Sequence, residues 1–227
     1  MKRLRYKCMI LDHDDTTVNS TASIHFPSFL ITMKELRPES DDLKMTLKDY
    51  YEINCNPGIF SYYKDVACFS KQELQYEFET WKDYVSQHTP SVYEGMKELI
   101  CDFMNAGGIL CVVSHNHVEN ILRDYDYNKL PHPSCVYGCE YPEEMRKPSV
   151  KIIDDICDRF HVTKKEILLL DDLVPGFEMA VNGGVDYVVA RWAHEASGVT
   201  EFVKNHNSHC AYKPEELRKY LFEEDEC

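Results

Sequence analysis

The sequence lacks an apolar run long enough to cross a membrane, and it lacks an excess of positive charge. Its 25 Lys and Arg residues are outnumbered by 39 Asp and Glu residues, which gives a formal net charge of -14. Nucleic acids and anionic membranes bind basic surfaces, so we expect neither as a partner. A small anionic ligand is compatible with this composition, because only the charge inside its binding pocket matters. Repeats and low-complexity tracts are also absent, and 227 residues suffice for one core with an inserted module.

The ten cysteines include no C-x-x-C pair and show no regular spacing. Cys8, Cys111 and Cys157 lie within apolar patterns, where a thiol behaves as a small apolar side chain. Cys135 and Cys139 could bind a metal ion, although two thiols without nearby partners are more often structural. The apolar stretch near the basic start of the chain is too short for a secretory signal. Together these features lead us to expect a protein of the reducing cytoplasm.

An acidic segment directly follows the first apolar run. The run around Ile10 is typical of a short buried strand, and Asp12, Asp14 and Asp15 follow it in a polar loop. Three carboxylates in four positions repel one another unless a cation lies among them, and Mg2+ is the simplest candidate. Beside such a cation Asp12 could attack phosphorus as a nucleophile, while Asp14 transfers a proton. The alternative is a solvated acidic turn, in which Asp15 or Thr16 only caps a helix.

A long helical segment follows this loop. The pattern stays helical for about seventy residues after Ser20, much longer than an ordinary loop. Residues 19–90 are therefore predicted to form an inserted bundle of about four helices. A capping box, Ser70-Lys-Gln-Glu73, starts one helix, and Asn56-Pro57-Gly58 separates two others. Five aromatic residues could line a substrate pocket, but at helical spacing they are expected to fill the core; they are Tyr50, Tyr51, Phe60, Tyr62 and Tyr63.

Apolar runs alternate with amphipathic helices in the rest of the sequence. A second capping box, Ser91-Val-Tyr-Glu94, is predicted to start a helix that ends at Gly107-Gly108. Four apolar runs are predicted to be strands, at 109–113, near 135, at 166–170 and at 187–190. Continuously apolar strands are typical of a parallel sheet covered on both faces. We therefore predict an α/β fold with a Rossmann-like, doubly wound parallel sheet, whose core comprises residues 1–18 and 91–227.

Three of the predicted strands end in residues suited to phosphate chemistry. Asp12 and Asp14 follow the first strand, Ser114 follows the second, and the pair Asp171-Asp172 follows a later one. In sheets of this kind, ligands bind beyond the carboxyl ends of the strands, near the point where strand order reverses. Ser114 could bind a phosphoryl oxygen or only cap the next helix. The coincidence of three such strand ends favours a shared site.

Further candidates lie beside these strand ends. Lys147 could neutralise charge on the nucleophile and on the transferring phosphoryl group, although a lone lysine is usually a solvated surface residue. His115 could contact phosphate or only begin a helix. Asp171 and Asp172 could complete a metal site or cap a helix, and their pairing favours a cation.

These segments resemble the four motifs of the haloacid dehalogenase superfamily of aspartyl-phosphate phosphatases, in order and spacing over nearly the whole chain. The motifs are Asp12-x-Asp14-x-Thr16, Ser114 after an apolar strand, Lys147-Pro148, and Asp171-Asp172 after Leu168-Leu169-Leu170. The resemblance implies a phospho-Asp12 intermediate, with Asp14 protonating the leaving oxygen and then activating water. It also implies that residues 19–90 form a mobile helical cap that closes over the substrate.

The resemblance further implies a Mg2+ ion, held by the Asp12 carboxylate, the Asp14 backbone carbonyl and one late acid. The family's small-residue positions favour Asp172 as that acid, whereas counting from the strand end favours Asp171. Asp15 stands where many members have glycine, and an acid there is compatible with the family.

The predicted function is Mg2+-dependent hydrolysis of a phosphate monoester of a small metabolite. A phosphomutase acting on a sugar phosphate is the alternative within the family, and a non-catalytic binding protein that keeps the fold is the alternative outside it. A dehalogenase would need neither Asp14 nor a metal, and a phosphonate-cleaving enzyme would need a cap lysine that the sequence does not single out. The sequence does not indicate the substrate or the oligomeric state.

Overall fold

In the computed structural model, which describes residues 3–223, six parallel strands form one sheet. The strands are β1 (Cys8–Leu11), β2 (Ile109–Val113), β3 (Cys135–Tyr137), β4 (Ile167–Asp171), β5 (Asp186–Ala190) and β6 (His209–Ala211). Their order across the sheet is β3-β2-β1-β4-β5-β6. Successive strands are added on one side of β1 up to β3 and on its other side from β4, so strand order reverses between β1 and β4. The predicted α/β class and parallel sheet are confirmed. The ends of the predicted core, residues 1–2 and 224–227, lie outside the described residues.

Helices cover both faces of this sheet. They are α5 (Met96–Asn105), α6 (Val118–Tyr127), α7 (Lys151–Phe160), α8 (Val174–Gly183), α9 (Ser197–His206) and α10 (Arg218–Leu221) in the numbering used below. Alternate residues of β1 enter different clusters: Met9 and Leu11 pack with α5 and α6, whereas Cys8 and Ile10 pack with α7 and α8. Burial on both sides explains why the strands read as continuous apolar runs.

Four helices lie between β1 and α5, namely α1 (Phe26–Leu36), α2 (Leu47–Cys55), α3 (Ile59–Ser61) and α4 (Lys71–Gln87). We refer to residues 21–87 as the helical segment. A π-helical turn over Thr21–His25 leads into α1, and the predicted capping box at Ser70 and Glu73 starts α4. The segment has an apolar cluster of its own, centred on Phe29 and Met33 of α1. The apolar faces of these helices can therefore be buried against one another without the sheet.

Four of the five aromatic residues expected in this cluster are buried, and the fifth is not. Tyr50, Tyr62 and Tyr63 belong to the cluster, and Tyr51 is buried against the core. Phe60 is 79% exposed, so its prediction as a core residue is wrong. In the single turn of α3, adjacent side chains point in different directions, and Ile59 takes the inward position.

The two connections of the helical segment to the core lie side by side. Val18 forms an antiparallel bridge with Val92, and the Asn19 amide donates to the carbonyl of Ser91 at 2.9 Å. A separate contact lies on α2, where the Glu52 carboxylate accepts hydrogen bonds from Ser197, at 2.9 Å from its amide and 2.6 Å from its hydroxyl. Paired backbone at the Val18–Val92 bridge and the contact of Glu52 with the start of α9 are thus two of the places where the segment meets the core.

One further local prediction is wrong, and two elements of the structure were not predicted. The second capping box is wrong, because Val92 is held extended by its bridge to Val18 and α5 begins only at Met96, after Gly95 with a φ of 81°. The helix α9 and the strand β6 were not predicted. Within residues 3–223, no helix is long and apolar enough to span a membrane.

Candidate active site

The candidate site lies at the carboxyl ends of three adjacent strands. Asp12 directly follows β1, Ser114 directly follows β2, and Asp171 is the last residue of β4. Since β1 lies between β2 and β4, these residues meet at one edge of the sheet, at the point where strand order reverses. The Asp12 amide donates to the Leu170 carbonyl at 2.9 Å, which fixes the loop after β1 against β4.

Three buried carboxylates form the centre of the site. Asp12, Asp171 and Asp172 each present an oxygen, and these oxygens lie within 4.8 Å of one another. The ammonium of Lys147 contacts two of them, at 2.6 Å from Asp12 Oδ1 and 2.7 Å from Asp171 Oδ2. The Lys147 side chain is only 6% exposed, so it is not the solvated surface residue of the alternative interpretation.

The charges of this group do not balance. Burial raises the pKa of Asp12 well above its ordinary value, and the carboxylates of Asp171 and Asp172 raise it further against the opposing effect of Lys147. Burial and Asp171 likewise raise the pKa of Asp172. Burial lowers the pKa of Lys147, but Asp12 and Asp171 raise it by more, so the amine stays protonated. One ammonium among three carboxylates leaves room for a cation, and an all-oxygen donor set suits Mg2+.

Asp172 is oriented by two side chains. Its Oδ1 accepts from the Thr16 hydroxyl at 2.9 Å, and its Oδ2 lies 3.0 Å from His194 Nε2. The Ala196 amide donates to His194 Nδ1, so Nε2 carries the proton that faces Asp172. Burial lowers the pKa of His194, which keeps the ring neutral. Contacts of this kind fix the direction of a carboxylate that ligates a metal.

The carboxylate of Asp14 lies outside this group of three. It accepts from the Asn116 side chain at 3.1 and 3.2 Å, and from Ser114 Oγ and His25 Nε2 at 3.4 Å each. The indole of Trp81 donates to His25 Nδ1 at 3.1 Å, so His25 turns its Nε2 proton towards Asp14. Asp14 therefore has partners from the sheet edge and from the helical segment.

The contacts of Asp14 favour its ionised form. Burial alone would raise the pKa of Asp14, but its hydrogen bonds, that from His25 foremost, and the neighbouring histidines lower it to below its usual range. A carboxylate in this state can accept a proton from water. It can donate one only after its contact with His25 is weakened.

Asp15 has a structural role beside the site. Its φ is 56°, in the left-handed region where glycine is favoured, and its Oδ1 accepts from the Thr21 amide at 3.1 Å. The helix-capping alternative thus applies to Asp15. It does not apply to Asp12, whose side chain contacts Lys147.

His115 lies at the rim of the candidate site. It is exposed, and its Nε2 is 3.2 Å from the backbone carbonyl of Lys147. Contact between His115 and a phosphate therefore stays a prediction. Ser114 Oγ accepts from the Asn116 amide at 3.1 Å, which leaves its hydroxyl proton directed towards Asp14.

A polar network, buried at His13 and Asp124, lies behind the loop after β1. His13, between the two motif acids, contacts Asp124 Oδ2 at 3.0 Å, and Arg123 contacts the other oxygen of Asp124 at 2.7 Å. Arg123 also donates to the Val85 carbonyl at 2.7 Å, near the end of α4. The network thus joins the loop after β1 to the helical segment. Sequence reasoning missed it, although an acid beside the buried Tyr125 on α6 was a usable signal.

The family model for haloacid dehalogenase-like hydrolases matches residues 9–190, which is most of the chain. The chain therefore belongs to this family, and the resemblance inferred from its motifs is confirmed. As a member of this family, the protein is classed as a hydrolase. No curated protein matches the sequence significantly.

Solved structures share the fold at low sequence identity. A haloacid dehalogenase-like family hydrolase from Streptococcus pneumoniae is 18% identical, with a TM-score of 0.73 over 95% of this chain and 98% of that one. A predicted phosphoglycolate phosphatase from Haemophilus somnus is 17% identical, with a TM-score of 0.71 over 95% and 98%. CbbY from Rhodobacter sphaeroides, in complex with xylulose 1,5-bisphosphate, is 15% identical, with a TM-score of 0.66 over 93% and 96%.

Mg2+ is expected to stabilise the protein, and to do so more at about pH 7.5 than at about pH 5. Because the pKa values of Asp12 and Asp172 are raised by folding, the folded state binds more protons than the unfolded state above their ordinary pKa. These two groups therefore lower the stability of the metal-free protein as pH rises. At a hundredfold excess over its Kd, Mg2+ should add about 2.7 kcal/mol, or roughly 5–10 °C in the unfolding midpoint.

Differential scanning calorimetry with and without MgCl2 measures this effect, with NaCl of equal ionic strength as the control. The Asp172→Asn variant should show a smaller shift. An Mg2+ shift that does not grow with pH would contradict the assignment of these carboxylates to a cation site.

Proposed function

We propose that this protein is a Mg2+-dependent phosphatase that hydrolyses a small phosphate monoester through a phospho-Asp12 intermediate. The observation that carries the proposal is the contact of Asp12 with the Lys147 ammonium at 2.6 Å, within a buried group of three carboxylates. An isolated buried acid would be a poor nucleophile for a phosphate dianion, because like charges repel. The lysine and a cation together remove that repulsion.

Each step of the reaction has a candidate residue. For the first step Asp14 must have taken up a proton from solvent, which requires that its contact with His25 is weakened. The Asp12 carboxylate then attacks phosphorus, and the bond between phosphorus and the leaving oxygen breaks as Asp14 gives this proton to that oxygen. Asp14 then takes a proton from water, whose oxygen attacks phosphorus and releases Asp12 and inorganic phosphate. Lys147 and the Ser114 hydroxyl neutralise charge on the phosphoryl oxygens. Mg2+, held by Asp12, the Asp14 carbonyl and Asp171 or Asp172, would supply further positive charge.

The helical segment is proposed to be the cap of this site, as part of a two-domain organisation with residues 19–90 inserted into the core. His25 precedes α1 and Trp81 lies on α4, and through their hydrogen bonds both reach Asp14. A leaving group protonated by Asp14 would therefore depart beside these two side chains. Closure over it would exclude bulk water and strengthen the electrostatic contacts of the phosphoryl group.

The structural neighbours support the substrate class. One is a predicted phosphoglycolate phosphatase, and another binds xylulose 1,5-bisphosphate. Both names concern small phosphorylated metabolites. At identities below a fifth they do not specify which metabolite this chain uses.

The proposal is tested with a panel of phosphorylated metabolites, measuring inorganic phosphate with Mg2+ and with EDTA. We expect Mg2+-dependent release from at least one monoester. Rearrangement with total ester phosphate conserved would instead indicate a phosphomutase. Binding without any turnover across the panel, with Mg2+ present, would indicate a non-catalytic protein and overturn the proposal.

Ser114→Ala is expected to raise the KM for the best substrate about tenfold, because a hydrogen bond to a charged phosphate contributes about 1.5 kcal/mol or more. Steady-state kinetics measures this effect. Ser86→Ala is the matched control, since the Ser86 hydroxyl contacts only the Asp83 carbonyl in α4. An unchanged KM for Ser114→Ala would remove Ser114 from the phosphate site.

A further inference from the structure

A second group of side chains of the types that can ligate a metal ion lies outside the acidic site. His117, Cys139 and Glu140 each present one ligand atom, and these atoms lie within 4.8 Å of one another. His117 precedes α6, and the other two residues follow β3. None of the three has a part in the proposed phosphatase chemistry.

The backbone around this group is held in place. The Cys139 amide donates to the Asn116 carbonyl at 2.9 Å, which ties the loop after β3 to the loop after β2. A Cβ at Gly138 would lie 2.8 Å from that same carbonyl, so the close approach of the two loops requires glycine there. The ligands are therefore presented by two loops that are fixed against each other.

The Glu140 side chain is also oriented by a backbone amide. The Glu140 carboxylate accepts from the Val118 amide at 3.1 and 3.2 Å, in addition to its 2.9 Å contact with His117 Nδ1. Hydrogen bonds from the surrounding backbone are the usual way in which proteins fix a ligating carboxylate. His117 and Glu140 are each close to half exposed, so an ion in solution can reach them.

We propose that His117, Cys139 and Glu140 form a zinc site, distinct from the acidic site at the carboxyl ends of β1 and β4. A set of one imidazole nitrogen, one thiolate and one carboxylate oxygen is typical of Zn2+ and unsuited to Mg2+, which prefers oxygen ligands alone. Binding releases the thiol proton of Cys139 to solvent and moves the proton between His117 Nδ1 and Glu140 to His117 Nε2, so that the metal binds a thiolate and a neutral imidazole. A water molecule would complete the four ligands.

Cobalt substitution provides the first test. The native protein is titrated with Co2+ in excess Mg2+, which occupies the acidic site, and the near-ultraviolet absorption of a thiolate–cobalt bond is recorded. We expect this band to saturate at one equivalent and to disappear in Cys139→Ser. Cys68→Ser is the matched control, because Cys68 is an exposed thiol on the helical segment. An absent band in the native protein, or a band retained in Cys139→Ser, would overturn the proposal.

Zinc affinity and thiol protection provide the second test. In competition with a chromophoric chelator, Cys139→Ser and His117→Gln should each bind Zn2+ at least about tenfold more weakly than the native protein and Cys68→Ser. In the native protein, Zn2+ should also slow alkylation of Cys139, as read by peptide mass spectrometry, but not that of Cys68. The protection assay uses only the native protein, so it tests the zinc site even if Cys139→Ser does not fold. Equal alkylation of Cys139 with and without Zn2+ would mean that the group is an ordinary hydrogen-bonded cluster.

Discussion

Asp12→Asn is expected to reduce phosphate release by about ten-thousandfold or more while leaving the protein folded. Loss of a nucleophile removes the covalent route, and neighbouring groups cannot replace it. The substitution also removes one negative charge from a group in which burial and like charges already raise the pKa of Asp12. The unfolding midpoint without Mg2+ should therefore not fall by more than a few degrees.

This combination separates chemistry from folding. The assay measures inorganic phosphate from the best substrate of the panel, and calorimetry measures the midpoint. Asp41→Asn is the matched control, because the Asp41 side chain is 91% exposed and contacts only a surface lysine. Turnover by Asp12→Asn within tenfold of the native rate would falsify the proposed mechanism.

Lys147→Met is expected to affect both activity and stability. Removal of the ammonium leaves Asp12 and Asp171 without their buried partner, and breaking a buried ion pair in this way costs about 3 kcal/mol. The unfolding midpoint should fall by roughly 6–12 °C. The rate should fall by about a thousandfold, because the charge that stabilises the transferring phosphoryl group is lost.

Two further variants test the reason for these losses. Lys147→Arg keeps the charge but alters the geometry, so it should recover most of the stability and only part of the rate. Lys44→Met is the control, since Lys44 is 82% exposed. A Lys147→Met variant with native stability and native rate would show that this contact between Lys147 and Asp12 has no function in solution.

The edge of the sheet that carries the site could be predicted because its signals are local. Continuous apolar runs identified β1, β2 and β4, and each of them ends directly in Asp12, Ser114 or Asp171. In a parallel sheet the carboxyl ends of neighbouring strands share one edge, so strand alternation alone brings such residues together. Lys147 was identified by its place in a motif, and its burial became evident only in the structure.

The residues that orient the carboxylates could not be predicted in the same way. His194 contacts Asp172 from a loop after β5, and Trp81 reaches Asp14 only through His25. These contacts depend on how distant elements pack, and no local pattern records them. The strand β6 was missed because no apolar run marks it, and only Ala211 of its three residues is fully buried.

The attachment of the helical segment restricts the directions in which it can move. Both of its backbone tethers lie at the Val18–Val92 bridge, so a rigid displacement of the segment would turn about that point. Such a rotation separates Glu52 from Ser197 while the bridge stays intact. The contacts of Arg123 with the Val85 carbonyl and of His25 with Asp14 also join the segment to the core, so opening of the proposed cap would have to break them together with the Glu52–Ser197 contact.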